Sequence, residues 1–196
     1  MSQASPPPPW LDAPPVPPYP YRDSHDPAAG APDPHPEVLA LLPFVGLWRG
    51  RGRGGYPTIE EFDYAQEIRI SHDGRPFLAF ESRAWLLDGH SRPVRPAARE
   101  SGWWRPVVRA GRPTGEVEVL LTTPTGIMEL YYGRVEGGKL EIATDTVVRT
   151  ATAKEVTAGH RSFGIVDGAL LYAYEMAAVG HGLTPHLSAR LRRVAA

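Results

Sequence analysis

The chain has 196 residues, 42% of them hydrophobic and 22% charged, and a formal net charge of −1. That is one globular domain plus a tail, without the basic excess that draws a protein onto nucleic acid or anionic lipid. Cysteine is absent, which excludes disulfides, thiolate nucleophiles and Cys-based zinc or iron–sulfur sites and fits a reducing cytoplasm. No apolar run approaches the roughly 20 residues of a spanning helix, and the first residues lack the pattern of a secretory signal. A cytoplasmic protein with no membrane and no nucleic-acid partner is the expectation.

Residues 1–36 hold 13 of the 22 prolines. Proline donates no ladder hydrogen bond and such a segment buries little, so a disordered or polyproline-II tail is expected there. Its PxxP spacing suits docking on a Pro-recognising, SH3-like domain, while a plain solubilising leader would look the same. The domain is expected over 37–196. Pro36–Leu42 reads as one or two helical turns, stopped by Pro43 and placed to cover one end of a β domain. Next, Gly46, Gly50, Gly52 and Gly54 alternate with Arg49, Arg51 and Arg53. Glycine on one face lets backbone or a large ligand come close, and the arginines share a solvated outer face. A brief RGG-like RNA-binding reading competes with this, inside a segment otherwise patterned as a strand.

From there the chain reads as strands and turns. Phe62, Tyr64, Ile68 and Ile70 alternate with charged residues, the pattern of a half-buried antiparallel strand. His72–Pro76 is a turn around Asp73-Gly74, which leaves His72 facing solvent. Leu78, Phe80, Ser82, Ala84 and Leu86 form one face of the next strand. Asp88–Pro96 is a polar loop, followed by a strand around Glu100–Val108 whose adjacent Trp103 and Trp104 point to opposite faces. Two segments flank Pro124, a long alternating strand follows Gly137-Gly138, and Lys154–Ile165 pairs with Ala169–Val179. The last strand is His186–Val194. Nine or ten short strands without a helical period imply an all-β fold, a roughly ten-stranded antiparallel up-and-down, lipocalin-like barrel. Such a barrel is wider than side chains alone fill, so a cavity for an apolar ligand is expected. Trp48 plugs the barrel bottom, and the acidic residues fall mostly on the outer face.

One histidine stands out. His186 follows Pro185, whose fixed φ stiffens its mounting, and an imidazole so held beside an apolar barrel can ligate a metal or a haem iron. A hydrated rim histidine is the plain alternative. By parity His186 belongs with Ser188 and Arg190 rather than with Leu187, Ala189 and Leu191, so facing inward requires that the strand begin after it or that a bulge re-aim it. His181 lies five residues earlier, but no further zinc ligand is evident nearby.

Several blocks together resemble the nitrobindin family of small haem-binding β-barrels. Gly46, Trp48, Gly50 and Gly52 match its Gly-x-Trp-x-Gly-x-Gly signature. Tyr56-Pro57-Thr58-Ile59, Gly74–Ala79, Glu100–Arg105, Pro124-Thr125-Gly126 and Arg149–Val156 match further segments, and Pro185–Leu191 matches the one carrying the proximal histidine. The resemblance covers about residue 37 to the end. It implies one haem b per subunit in the open barrel end, with His186 as axial ligand and therefore the catalytic residue. Thr58 and Lys154 would be further haem contacts, the lysine beside a propionate. It also implies nitric oxide binding and isomerisation of peroxynitrite to nitrate at ferric iron. The alternative is a non-catalytic carrier or sensor of an apolar ligand. A homodimer is left open.

Overall fold

The alternation of apolar and polar side chains becomes ten strands, each paired antiparallel with its neighbours in chain order. They are β1 (Gly46–Tyr56), β2 (Ile59–Ser71), β3 (Leu78–Leu87), β4 (Pro93–Arg109), β5 (Arg112–Thr123), β6 (Ile127–Glu136), β7 (Lys139–Arg149), β8 (Val156–Val166), β9 (Ala169–Ala178) and β10 (Thr184–Arg193). β10 pairs with β1, from Trp48 opposite Arg193 to Gly54 opposite Leu187, and closes the barrel. The computed structural model describes residues 32–194. Nearly all of the expected Pro-rich tail, with its docking role, lies outside the described residues.

One end is plugged. The segment Pro36–Phe44 is a 3₁₀ helix that passes through Pro43 rather than stopping before it. Its Val38, Leu41 and Phe44 are buried, and the Phe44 ring meets Trp104 edge-on at 5.7 Å. Trp48 is buried beside them and donates its indole N–H to the Phe44 carbonyl at 2.8 Å. The plug role expected for Trp48 therefore holds, with a partner for its polar edge. Trp103 faces outward at 45% exposure while Trp104 is wholly buried, as their adjacency requires. Above this layer Phe80 and Phe163 pack on Trp104, and Tyr172 on Phe163.

Two local expectations change. β4 starts at Pro93, inside the expected loop. Residues 93–100 pair with β3 alone, because the β5 ladder begins at Ser101, so Pro93 and Pro96 sit on an edge that needs no second donor. His72 is buried, 3% exposed, rather than solvent-facing, and its Nδ1 has no hydrogen-bond partner. It lies at the plugged end, which removes it from any role at the opposite mouth. On the glycine face of β1, backbone and aromatic rings approach Gly50 and Gly52, while Gly54 and Gly55 border a cleft at the open end. A side chain at Gly50 would overlap the Arg190 carbonyl, and the space at Gly52 is taken by the Tyr64 ring. Arg49, Arg51 and Arg53 do line the outer face, with Arg49 paired to Glu67 and Arg53 to Asp63.

Candidate functional site

Chain direction gathers the turns at 57–58, 88–92, 124–126, 150–155 and 179–183 at the end opposite the helix. The wall is parted there. The β7–β8 ladder runs only from Lys139/Gly164 to Ala143/His160, so the upper parts of both strands are not paired to each other. Across this end Tyr56 reaches from β1 to β9, where its hydroxyl accepts from the Ala178 amide at 2.9 Å and donates to the Met176 carbonyl at 3.1 Å. Val156, Ile127 and Val147 complete an apolar cluster around it.

His186 stands at this mouth because of a register shift. In the β9–β10 ladder Pro185 opposes Glu175 and Leu187 opposes Tyr174, which leaves His186 as the extra residue of a bulge. The bulge turns the imidazole off the outer face that its parity predicts and onto the aromatic side chains of the interior. Its ring meets Tyr56 at 5.7 Å and Tyr174 at 5.8 Å, both edge-on. Its Nδ1–H donates to the Gly55 carbonyl at 2.9 Å. A carbonyl only accepts, so the proton is on Nδ1 and the Nε2 lone pair is left for another partner. Burial lowers the His186 pKa against the Gly55 hydrogen bond, which raises it, and so favours the neutral ligand form. Beside the ring a cleft of about 560 Å³ is lined by Tyr56, Pro57, Ile59, Thr184, Pro185 and Leu187, and continues past Arg53, Glu61 and Ser188 onto the outer wall. That volume is in the range of cofactor sites.

Below the histidine lies a buried ion cluster. Arg161 donates to both oxygens of Glu100, at 2.7 and 3.0 Å, and to Glu129 at 3.0 Å. It also donates to the hydroxyls of Tyr131 at 2.8 Å and Tyr172 at 3.3 Å. Tyr174 donates to Glu129 at 3.3 Å. Burial opposes the Arg161 charge, but Glu100 and the surrounding tyrosines outweigh it and hold the pKa above its ordinary value. Burial likewise pushes the hydroxyls of Tyr131, Tyr172 and Tyr174 up, so they remain protonated. These two acids are exceptions to the outward-facing carboxylates that the strand pattern predicts for most. The signal was present in parity: Glu100 shares a strand face with Gly102 and Trp104, Glu129 with Tyr131, and Arg161 with Phe163.

Of the other predicted residues, Thr58 is exposed in the β1–β2 turn and Lys154 exposed in the β7–β8 loop, both at the open end. Neither lines the cleft beside His186. Gly46, Trp48, Gly50 and Gly52 are structural: the tryptophan anchors the plug and the glycines admit neighbouring backbone and rings. His181 is exposed and shares the Tyr56 ring with His186, at 5.8 Å on its own side. Among the described residues no group of three or more His, Asp or Glu could hold a metal ion, which leaves no zinc set for this pair. A single neutral imidazole with its tautomer held, its outer nitrogen unpartnered and aromatic neighbours on both edges, suits one axial position of an iron porphyrin.

Comparison with known proteins matches residues 37–193 to the family model of the THAP4-like, heme-binding beta-barrel domain. A Salinispora arenicola protein named peroxynitrite isomerase is 74% identical over 187 residues, 95% of each chain. A Streptomyces griseus protein of the same name is 49% identical over 90% of this chain and 93% of its own. A Saccharopolyspora erythraea protein named ferric nitrobindin-like is 45% identical, over 80% and 73% respectively. The crystal structure of Rv2717c from M. tuberculosis superposes with a TM-score of 0.72 at 36% identity, covering 83% of this chain and all of that one.

Proposed function

Because the chain belongs to the THAP4-like, heme-binding β-barrel family, we propose that it isomerises peroxynitrite to nitrate at a ferric haem b, with His186 as the axial ligand to iron. The observation that carries this reading is the bulged His186, its Nδ1–H held by the Gly55 carbonyl and its Nε2 left to bind. The relatives named peroxynitrite isomerase support the reaction class. Bound haem would supply a ferric Lewis acid for peroxynitrite, and because nitrate contains the same atoms no net electron would be needed.

The protein's own part is placement and polarity. The Gly55 carbonyl orients the imidazole and increases the basicity of its free nitrogen. Tyr56 and Tyr174 hold the ring from two edges, and Tyr56 is itself anchored on Ala178. Pro185, Leu187 and Ile59 give the cleft an apolar lining. Thr58 and Lys154, on loops at the same end, are our candidates for polar contact with the propionates, the lysine by a charge-assisted hydrogen bond. Nitric oxide would bind at the same iron.

The test is the ferric absorption spectrum of the reconstituted protein, wild type beside His186→Ala, followed by peroxynitrite decay against free haem. We expect a saturable Soret band that shifts or collapses in the variant, together with loss of isomerisation above the free-haem rate. Identical spectra with non-saturating uptake would instead favour a carrier of an apolar ligand. For the outer wall of β4–β7 we infer a second copy of the chain as partner. There the ladders set Trp103 beside Leu120, and Met128 beside Val148, all large and exposed apolar side chains.

A further inference from the structure

Arg161 carries one positive charge and needs one carboxylate to balance it, yet two are built around it. The side chains of Arg161 and Glu129 are 1% and 3% exposed, and that of Glu100 is 12% exposed. An additional buried carboxylate is costly unless a cation accompanies it. The hydroxyls of Tyr131, Tyr172 and Tyr174 offer dipoles to the cluster but no charge. The cluster also has a direction. The Arg161 guanidinium lies 4.2 Å over the Tyr174 ring, Tyr174 donates to Glu129, and the Tyr174 ring edge touches the His186 imidazole at 5.8 Å. The guanidinium on the Tyr174 ring face and the Glu129 carboxylate at its hydroxyl therefore both sit one aromatic ring away from the His186 imidazole.

Building on the haem reading above, we propose that Glu129 is a positioning residue for the oxidation state of the iron. The net charge of −1 on the Arg161–Glu100–Glu129 cluster favours ferric haem, whose iron–porphyrin core carries one positive charge, over ferrous haem, whose core carries none. The missing counter-cation of the cluster is then the oxidised cofactor, and a ferric resting state is a property of the barrel floor as well as of the axial ligand. The effect acts through space across Tyr174, with no bond to the iron from any of the three charged groups.

The experiment is spectroelectrochemical titration of the haem-loaded full chain as wild type, Glu129→Gln and Glu141→Gln, the last at an exposed carboxylate paired with Lys139. Glu129→Gln keeps the shape, and Glu100 still pairs Arg161. Its midpoint is expected to move to more positive potential, with the preference for ferric over ferrous haem reduced about tenfold, the scale for one buried charge at an effective dielectric near 20. Glu141→Gln removes the same unit charge from the exposed outer face and should stay close to wild type. A midpoint in Glu129→Gln that is unchanged or more negative, with a native Soret band, overturns the proposal. So does an equal shift in Glu141→Gln, which would assign the effect to the net charge of the chain rather than to the buried cluster. If Glu129→Gln does not fold, Glu100→Gln removes the same unit charge and is read in the same way. Failure of the haem reading is seen separately, as a Soret band indifferent to His186→Ala, and it removes this proposal along with its premise.

Discussion

His186 combines two constraints that usually compete: it is mounted rigidly and it is kept neutral. Pro185 and the Gly55 carbonyl supply the first, and burial between Tyr56 and Tyr174 the second. The lowered pKa has a consequence for stability. Between roughly pH 6.5, the ordinary histidine value, and the lower folded value, the unfolded chain binds a proton that the folded chain does not. Stability is therefore complete above about pH 6.5 and falls as the pH drops through that window. His72, also lowered by burial, contributes with the same sign. We expect the urea midpoint of the haem-free protein to decline between pH 7.5 and 5, and the decline to be shallower in His186→Ala, with the His72 share remaining. A pH-independent difference between the two would contradict the assignment. His186 could be picked out in the sequence through the blocks around it. Glu100, Glu129 and Arg161 could not, since a lone charged residue on an inward parity gains meaning only when its partners, 32 and 61 positions away, are seen to converge.

At the scale of elements, β1 and β10 form the seam that closes the barrel, and the glycines of β1 make their close approach possible. At Gly50 an added Cβ would meet the carbonyl oxygen of Arg190 and the Cα of Leu191, neither of which can rotate away. Gly50→Ala should therefore cost about 1–3 kcal/mol, in the manner of other overpacked sites, read as a lower urea midpoint at unchanged slope. Loss of less than a few tenths would show that the seam yields. Alternation placed the strands, but their ends depended on pairing: the prolines of β4 are accommodated because β5 does not reach them, and the helix crosses Pro43. The His186 bulge is of the same kind. Its residues permit either face, and the register of β9 against β10 selects one.

For the whole molecule, one end is filled and the other holds the candidate haem site, while the outer wall of β4–β7 sets large exposed apolar side chains among ion pairs such as Arg105–Glu118. Trp103, Leu120 and Met128 are 45%, 38% and 51% exposed. If this wall joins two copies, Trp103→Arg should lower the sedimenting mass towards that of one chain while leaving the haem spectrum intact; a wild-type protein already monomeric at high concentration would refute the pairing. The linear order of residues was sufficient for the barrel class, the nine or ten strands and the plug at Trp48, because period-two burial and short turns are local properties of a chain, while the candidate ligand came from the family resemblance. Only the closed structure decided that Glu100 and Glu129 lie inside around Arg161, that His72 is buried at the plugged end and that Gly50 and Gly52 admit neighbouring backbone. The reason is physical: burial of a charge and the facing of a bulge depend on which strands become neighbours, and that is set by closure rather than by any single segment.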